Sequence, residues 1–180
     1  MLRAMPRYVA LLRAINVGGH TVQMKQLKRL FEALGFGGVS TFIASGNVVF
    51  DVTRGTAQAL EKRIAAHLED SLGYDVATFL RTPAELGAVA SQRAFAKPLT
   101  GATTYVGFMA VQPTAAVARQ VRALTGGGNE FALHDRELLW RSTLGMGRNP
   151  LSGAKLEKLL GQPMTLRQLS TIQKLVVKYG

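Results

Sequence analysis

The sequence predicts an α+β protein made of two ferredoxin-like (α/β-plait) subdomains. In the first half, alternating apolar runs, helical stripes and breaker residues follow one another in the order β-α-β-β-α-β, which is the split motif of that fold. The second half repeats this order of elements. A length of 180 residues, of which 47% are hydrophobic, suits one medium domain or two small ones that share a core.

The first subdomain is assigned to residues 1–81, and glycines mark the ends of its helices. The predicted elements are a strand near 7–15, a helix near 24–35 that ends at Gly35, strands near 38–44 and 47–52, a helix near 56–72 that ends at Gly73, and a strand near 75–81. The helices bury apolar stripes at helical spacing, namely Leu27, Leu30, Phe31 and Leu34 on the first and Leu60, Ile64, Leu68 and Leu72 on the second.

Residues 82–102 are predicted to bridge the two subdomains. Thr82-Pro-Ala-Glu85 combines a cap, a proline at the first helical position and a capping-box glutamate, which predicts a short helix from Pro83. The stretch 94–102 contains the breaker residues of a loop.

The second subdomain, residues 103–180, is predicted to be plait-like with an extra C-terminal helix. Its elements are a strand 103–111, a helix 114–124 before three glycines, strands near 130–134 and 137–142, a helix near 152–160, an extended piece at 163–165 and a final helix near 166–178. By spacing, Thr165-Leu-Arg-Gln168 is a capping box for that final helix, which leaves Arg167 unexplained. The repeat is one of topology, without residue-by-residue self-similarity.

Composition restricts the chemistry and the partners of the protein. There is no cysteine and the three histidines lack metal-ligand spacing, so we expect no metal site and no cofactor. No apolar run is long enough for a membrane span, and the first residues lack the apolar middle of a signal peptide, so we expect a cytoplasmic protein without membrane contact.

The net charge of +11 favours polyanionic partners such as nucleic acid or phosphorylated metabolites. The excess lies mainly in residues 91–180, which carry twelve Lys or Arg against four Asp or Glu. From residue 136 to 178 there are eight basic and two acidic residues, but stacking aromatics are not interleaved with them. The alternative is that the charge serves solubility in a proteome rich in arginine.

Alternation along the first strand places Tyr8, Ala10, Leu12 and Ala14 on one face and Val9, Leu11, Arg13 and Ile15 on the other. On the third strand Val48, Phe50 and Val52 are assigned to the helix side. The opposite face is mostly apolar, so we expect the second subdomain or another subunit to cover it.

Two polar segments at strand ends form the first candidate site. The first and third strands of a split motif are antiparallel neighbours, so the end of one lies beside the start of the other. Glycine-loop amides, a helix N-terminus and a guanidinium suit a phosphate or carboxylate. The candidate ligand-binding residues are Arg13, Asn16, Gly18, Gly19, His20, Ser45 and Asn47. The alternative is turn chemistry alone, with Arg13 paired to Asp51.

A second glycine-rich loop, residues 144–153, adds Arg148 to the candidate ligand-binding residues. It leads into a predicted helix N-terminus, which is again an arrangement that binds anions. The alternative is an ordinary loop in which Asn149 or Ser152 caps the helix.

The segments Ala10-Leu-Leu-Arg-Ala-Ile-Asn-Val-Gly-Gly19 and Phe42-Ile-Ala-Ser-Gly-Asn-Val-Val-Phe50 resemble a bacterial domain-of-unknown-function family with the hallmark ALLRGINVGG, a helix ending LGF, then TYIQSGNVVF. Leu34-Gly-Phe36 and the GxGR-like Gly145-Met-Gly-Arg148 fit as well. The resemblance implies two α/β-plait subdomains and no particular reaction, since members are conserved hypothetical proteins.

The chain departs from that hallmark at several positions. Ala14 stands in place of glycine, Ala44 in place of glutamine, and Arg167-Gln-Leu-Ser-Thr171 in place of an RNW-T pattern. The hallmark also suggests Met5 as the native first residue, with residues 1–4 a disordered extension.

The leading hypothesis is therefore a binding module for an anionic small molecule or nucleotide. The alternatives are a nucleic-acid-binding protein that uses the basic C-terminal half and a hydrolase or transferase that acts at the same polar loops. No catalytic residue is identified, because neither His20 nor Ser45 has an acid partner at triad spacing. A homo-oligomer is an open possibility.

Overall fold

The computed structural model describes residues 5–180, and the chain divides into two compact units. Of the described residues, unit 1 comprises those up to Leu86 together with Tyr179–Gly180, and unit 2 comprises Gly87–Lys178. The predicted disordered extension of residues 1–4 lies outside the described residues. Over the described range, no helix combines the length and apolar character that crossing a membrane requires.

Unit 1 has the predicted β-α-β-β-α-β order, followed by a helix that crosses its boundary. Its elements are β1 (Arg7–Leu12), α1 (Met24–Ala33), β2 (Gly37–Thr41), β3 (Asn47–Asp51), α2 (Ala57–Leu72), β4 (Thr78–Arg81) and α3 (Pro83–Ser91). The sheet has the order β2-β3-β1-β4, and each neighbouring pair is antiparallel. This is the ferredoxin-like arrangement that the sequence predicts.

The core of unit 1 lies between one sheet face and the helices α1 and α2. All residues of the two predicted apolar stripes pack in this core. The buried ones are Leu27, Phe31, Leu60, Ile64 and Leu68. Val48, Phe50 and Val52 face the same cluster, as their alternation predicts. The fold of this unit is therefore set by the apolar periodicity of its segments.

The prediction for Ile15 was wrong, because β1 is shorter than its apolar run. β1 ends at Leu12, and the bends that follow carry Ala14 and Asn16 at left-handed φ values of 63° and 55°. These reversals break the two-residue period of the strand. Ile15 consequently packs in the helix-side core rather than on the opposite face.

Local capping signals place the helix ends of unit 1. The Thr56 hydroxyl accepts a hydrogen bond from the Ala59 amide at 3.3 Å, and Gly73 ends α2 with a φ of 80°. The capping box of α3 is confirmed in both directions. The Glu85 carboxylate accepts from the Thr82 amide at 2.7 Å, and the Thr82 hydroxyl accepts from the Glu85 amide at 3.2 Å.

Unit 2 repeats the topology of unit 1. Its elements are β5 (Thr103–Met109), α4 (Ala115–Arg122), β6 (Asn129–His134), β7 (Glu137–Ser142), α5 (Gly153–Leu160), β8 (Met164–Gln168) and α6 (Leu169–Tyr179), of which only the last residue of α6 is assigned to unit 1. The sheet order is β6-β7-β5-β8, again antiparallel throughout. The α+β prediction with two plait units is thus confirmed.

The two sheets also agree in register. Val9 of β1 pairs with Arg81 of β4, and Val106 of β5 pairs with Arg167 of β8. In each case the guanidinium also donates to the carbonyl of the preceding residue, at 2.8 Å for Arg81 and 2.9 Å for Arg167. The duplication that sequence similarity does not reveal is therefore visible in the backbone pairing.

The prediction that Thr165 caps the last helix was wrong. Residues Met164–Gln168 form β8, which pairs with β5 over five positions, and Thr165 is buried within it. Pairing with a neighbouring strand outweighs a local capping pattern, because each paired residue gains backbone hydrogen bonds and buried area. Arg167 is buried with its Nη1 donating to Thr165 Oγ1 at 2.8 Å, and burial lowers the pKa of Arg167 to about 10.

Candidate functional site

The loops at one end of the unit 1 sheet contain most of the predicted ligand-binding residues. We call residues 13–23 and 42–47 the unit 1 loop cluster. Leu11 of β1 pairs with Asn47 of β3, and the Leu12 amide donates to the Gly46 carbonyl at 2.9 Å. The antiparallel pairing therefore holds the two loops side by side.

Asn16 joins the two loops of the cluster. Its Nδ2 donates to the Ala44 carbonyl at 3.0 Å, and its Oδ1 accepts from the Val22 amide at 2.7 Å. A single side chain thus holds the β2–β3 connection and the segment that enters α1. These contacts give Asn16 a structural role that needs no ligand.

Asn47 and Ser45 are engaged inside the β2–β3 connection. Asn47 is fully buried, and its Nδ2 donates to the Phe42 carbonyl at 3.0 Å and to Ser45 Oγ at 2.8 Å. Gly46 between them has a φ of 73°, and an added Cβ would lie 2.9 Å from Ile15 Cβ. Turn geometry therefore accounts for the Ser-Gly-Asn motif.

Gly18, Gly19 and His20 are exposed and lead towards α1. The two glycines have φ values of 61° and 87°, with open space where a Cβ would stand. The His20 ring stacks on the Tyr74 ring, with centroids 3.8 Å apart and planes inclined by 20°. The sequence did not single out Tyr74, because it follows a helix-ending glycine more than fifty residues along the chain.

The Tyr74 hydroxyl is buried, and no residue among 5–180 hydrogen-bonds to it. Burial raises the pKa of Tyr74, so the group stays a neutral phenol. The Tyr74 ring thus covers one face of the His20 imidazole.

The N-terminus of α1 closes the cluster. Its cap residue, Gln23, makes no side-chain capping bond, and its first turn contains no acidic residue. Lys25 lies in that first turn, where a positive charge opposes the helix dipole. Glu32 is the only acidic residue between positions 1 and 50, so the loop cluster contributes no carboxylate of its own.

Arg13 follows β1 directly and is half-buried at the edge of the cluster. Its backbone amide donates to the Ala77 carbonyl at 2.9 Å. The suggested pairing of Arg13 with Asp51 was wrong, since Asp51 binds Arg7 through Nε at 2.8 Å and Nη2 at 3.1 Å. Register explains this difference, because Arg7 lies opposite Asp51 at the other end of β1.

The second polar loop lies in unit 2, and its half-buried Asn149 bonds to the buried side chains of Asn129 and Ser142. Asn129 Oδ1 accepts from Trp140 Nε1 at 2.8 Å and from Asn149 Nδ2 at 2.7 Å. Ser152 caps α5 by accepting from the Lys155 amide at 3.3 Å. Arg148 itself is exposed. The hydrogen-bond network accounts for Asn149, and the helix cap accounts for Ser152. Neither residue requires a ligand, in keeping with the alternative interpretation of this loop as an ordinary connection.

The described residues contain few signs of catalytic machinery. Among residues 5–180 there is no group of three or more His, Asp or Glu side chains that could hold a metal ion. The Ser45 hydroxyl accepts a hydrogen bond from Asn47, and the His20 ring stacks on Tyr74. These contacts offer no nucleophile activated by a base.

Comparison with known proteins identifies the family but no activity. No curated protein matches the chain. The solved structure of a conserved bacterial protein, SP0830 from Streptococcus pneumoniae, is similar with a TM-score of 0.73 and 19% identity, over 98% of this chain and 100% of that one. At this identity the likeness shows the fold alone.

A family model described as protein of unknown function (DUF1697) matches residues 5–139. That range contains both hallmark segments of the resemblance and ends before Gly145-Met-Gly-Arg148, whose part in it stays a prediction. The chain therefore belongs to DUF1697, a family of proteins of unknown function.

Proposed function

We propose that the protein is a binding module for a small anionic ligand, most simply one that carries phosphate, and that the unit 1 loop cluster is its site. The observation that carries the proposal is the surface at the start of α1. Exposed glycines lead there into a helix whose first turn has neither a side-chain cap nor an acidic residue.

The backbone amides of Met24, Lys25 and Gln26 have no partner within the helix, because the first amides of any α-helix lack carbonyls to donate to. A bound anion accepts these hydrogen bonds and interacts favourably with the helix dipole. It also offsets the unfavourable position of Lys25. Arg13 and His20 belong to the same loop cluster and add a positive charge and an exposed ring to the proposed site.

The binding of phosphate is tested by thermal unfolding in the presence of inorganic phosphate, AMP and ATP, in low and in high NaCl. A ligand at a hundred times its dissociation constant stabilises the folded state by about 2.7 kcal/mol, which thermal unfolding resolves readily. The amide signals of Gly18 and Gly19 in a ¹H–¹⁵N spectrum report on the site itself.

Lys25→Gln and Arg13→Gln are expected to weaken this stabilisation, and Arg54→Gln is the matched control. Arg54 is an exposed arginine of unit 1 outside the cluster, so its removal changes the net charge equally. The proposal fails if every anion acts only as the equivalent NaCl does, or if the control weakens binding as much as Lys25→Gln.

Nucleic-acid binding is the second candidate, and the charge of unit 2 favours it. Its exposed basic side chains include Lys97, Arg119, Arg122, Arg148 and Lys158. Short oligonucleotides belong in the same screen, because binding by counterion release falls steeply with salt whereas a specific pocket retains its ligand. Stabilisation by oligonucleotides alone, lost in high NaCl, would favour this candidate over the first.

A further inference from the structure

A groove in unit 2 combines free space with two arginines. It has a volume of about 450 Å³ and lies between α4, the preceding loop and the end of β6. This volume falls in the range of roughly 300–1,000 Å³ that small-molecule sites occupy. The helix lines it with Ala115, Ala118, Arg119 and Arg122, which share one helical face. The small side chains of the two alanines do not fill the groove, and the two arginines lie at its border.

Neither guanidinium is engaged by the part of the chain that the structure describes. Among residues 5–180 no side chain or carbonyl hydrogen-bonds or ion-pairs with the side chain of Arg119 or Arg122. Asp135, the carboxylate in the groove, lies instead 3.3 Å from Nδ1 of His134. Arg119 and Arg122 lie in the last turn of α4, where a positive charge interacts favourably with the helix dipole even without a ligand. This favourable interaction does not account for the groove beside the two side chains.

The chemistry of the groove selects the kind of ligand. Arginines three positions apart on a helix have Cβ atoms about 5–6 Å apart, so both planar guanidinium groups can reach one phosphate or carboxylate. Gln112 adds a neutral amide, and Asp135 adds an acceptor that suits a hydroxyl or amino group and repels further negative charge. This combination favours a molecule with one compact anionic group over an extended polyanion.

We propose that this groove is a second anion site, which takes a small molecule with one phosphate or carboxylate group and with hydroxyl groups next to it. Arg119 and Arg122 bind the anionic group, and Gln112 and Asp135 bind the neutral polar part. The site belongs wholly to unit 2 and does not depend on the proposed function of the unit 1 loop cluster.

The test follows the arginine Nε–H signals of the full chain by ¹H–¹⁵N NMR while inorganic phosphate is added at constant ionic strength. We expect saturable shifts of the Arg119 and Arg122 signals in the millimolar range. R119Q and R122Q assign the signals, and the double variant is expected to abolish the saturable response. Glycerol 3-phosphate, which adds hydroxyl groups, is expected to saturate at a lower concentration than phosphate.

Three variants separate the possible results. R54Q removes an exposed arginine of unit 1 and is expected to leave the response intact, and R13Q is expected to do the same because it alters only the other proposed site. The double variant R119K/R122K keeps the charge but loses the bidentate hydrogen-bonding geometry of the guanidinium groups, so it is expected to bind the anion more weakly. The proposal is overturned if the shifts are linear and equal at Arg54, or if the lysine variant binds as tightly as the natural protein.

Discussion

Ala14 occupies a backbone conformation that alanine rarely adopts, and replacing it with glycine is expected to stabilise the protein. Its φ is 63° in the bend between β1 and α1. In this left-handed region the Cβ of an L-residue crowds the following carbonyl oxygen, at a cost of about 1–2 kcal/mol that glycine avoids.

The size of the effect follows from three opposing contributions. Relief of strain contributes about 1–2 kcal/mol, while the greater freedom of glycine in the unfolded chain costs about 0.4–1 kcal/mol. Loss of the half-buried methyl group costs a further fraction of the ~0.8 kcal/mol of a fully buried one. The sum is a net stabilisation of about 0.5 kcal/mol from Ala14→Gly.

The same substitution in a helix is the matched control. Ala66 is exposed in the middle of α2, where Ala→Gly costs about 1 kcal/mol because alanine there is unstrained. The two variants are therefore expected to differ by about 1.5 kcal/mol, which for a protein of this size corresponds to roughly 3–6 °C in Tm. Thermal unfolding of both variants beside the natural protein measures this difference. Equal destabilisation by both would refute the argument from φ.

Two further substitutions test the contacts of the two loops. Gly46→Ala is expected to lower the free energy of unfolding by about 2–4 kcal/mol, because the new Cβ meets Ile15 at 2.9 Å and the φ of 73° adds left-handed strain; an unchanged Tm would contradict this. Asn129→Ala is expected to cost about 1–3 kcal/mol, because it leaves the buried Nε1 of Trp140 without its acceptor. Urea unfolding, followed by the fluorescence of this single tryptophan, measures the loss of stability. An unaltered urea midpoint would show that the hydrogen bond of the indole does not stabilise the protein.

Much of the fold follows from local patterns along the chain. The stripes of α1 and α2 identify the faces that form the core, and glycines after the helices mark where the chain turns. Thr82 and Glu85 form their capping box as the spacing predicts. These features depend on residues a few positions apart, so the periodicity of the sequence contains the relevant information.

The candidate site was less accessible to such reasoning. The strand pattern predicts that Asn16 and Asn47 lie near neighbouring strand ends. Only the tertiary structure shows that their side-chain amide groups hydrogen-bond to loop carbonyls and hold the loops together. Tyr74 joins His20 from a distant part of the chain, and no local pattern connects the two. The groove beside Arg119 and Arg122 exists because β6 and α4 meet in three dimensions.

The sequence by itself determined the fold class, the order of the elements, the positive charge and the family to which the chain belongs. The tertiary structure alone decided where β1 ends, that β8 extends as far as Gln168, and which partner Asp51 takes. The physical reason is the same in each case. Backbone pairing between distant strands and the burial of side chains contribute more free energy than local propensity, and both depend on contacts that are far apart in sequence.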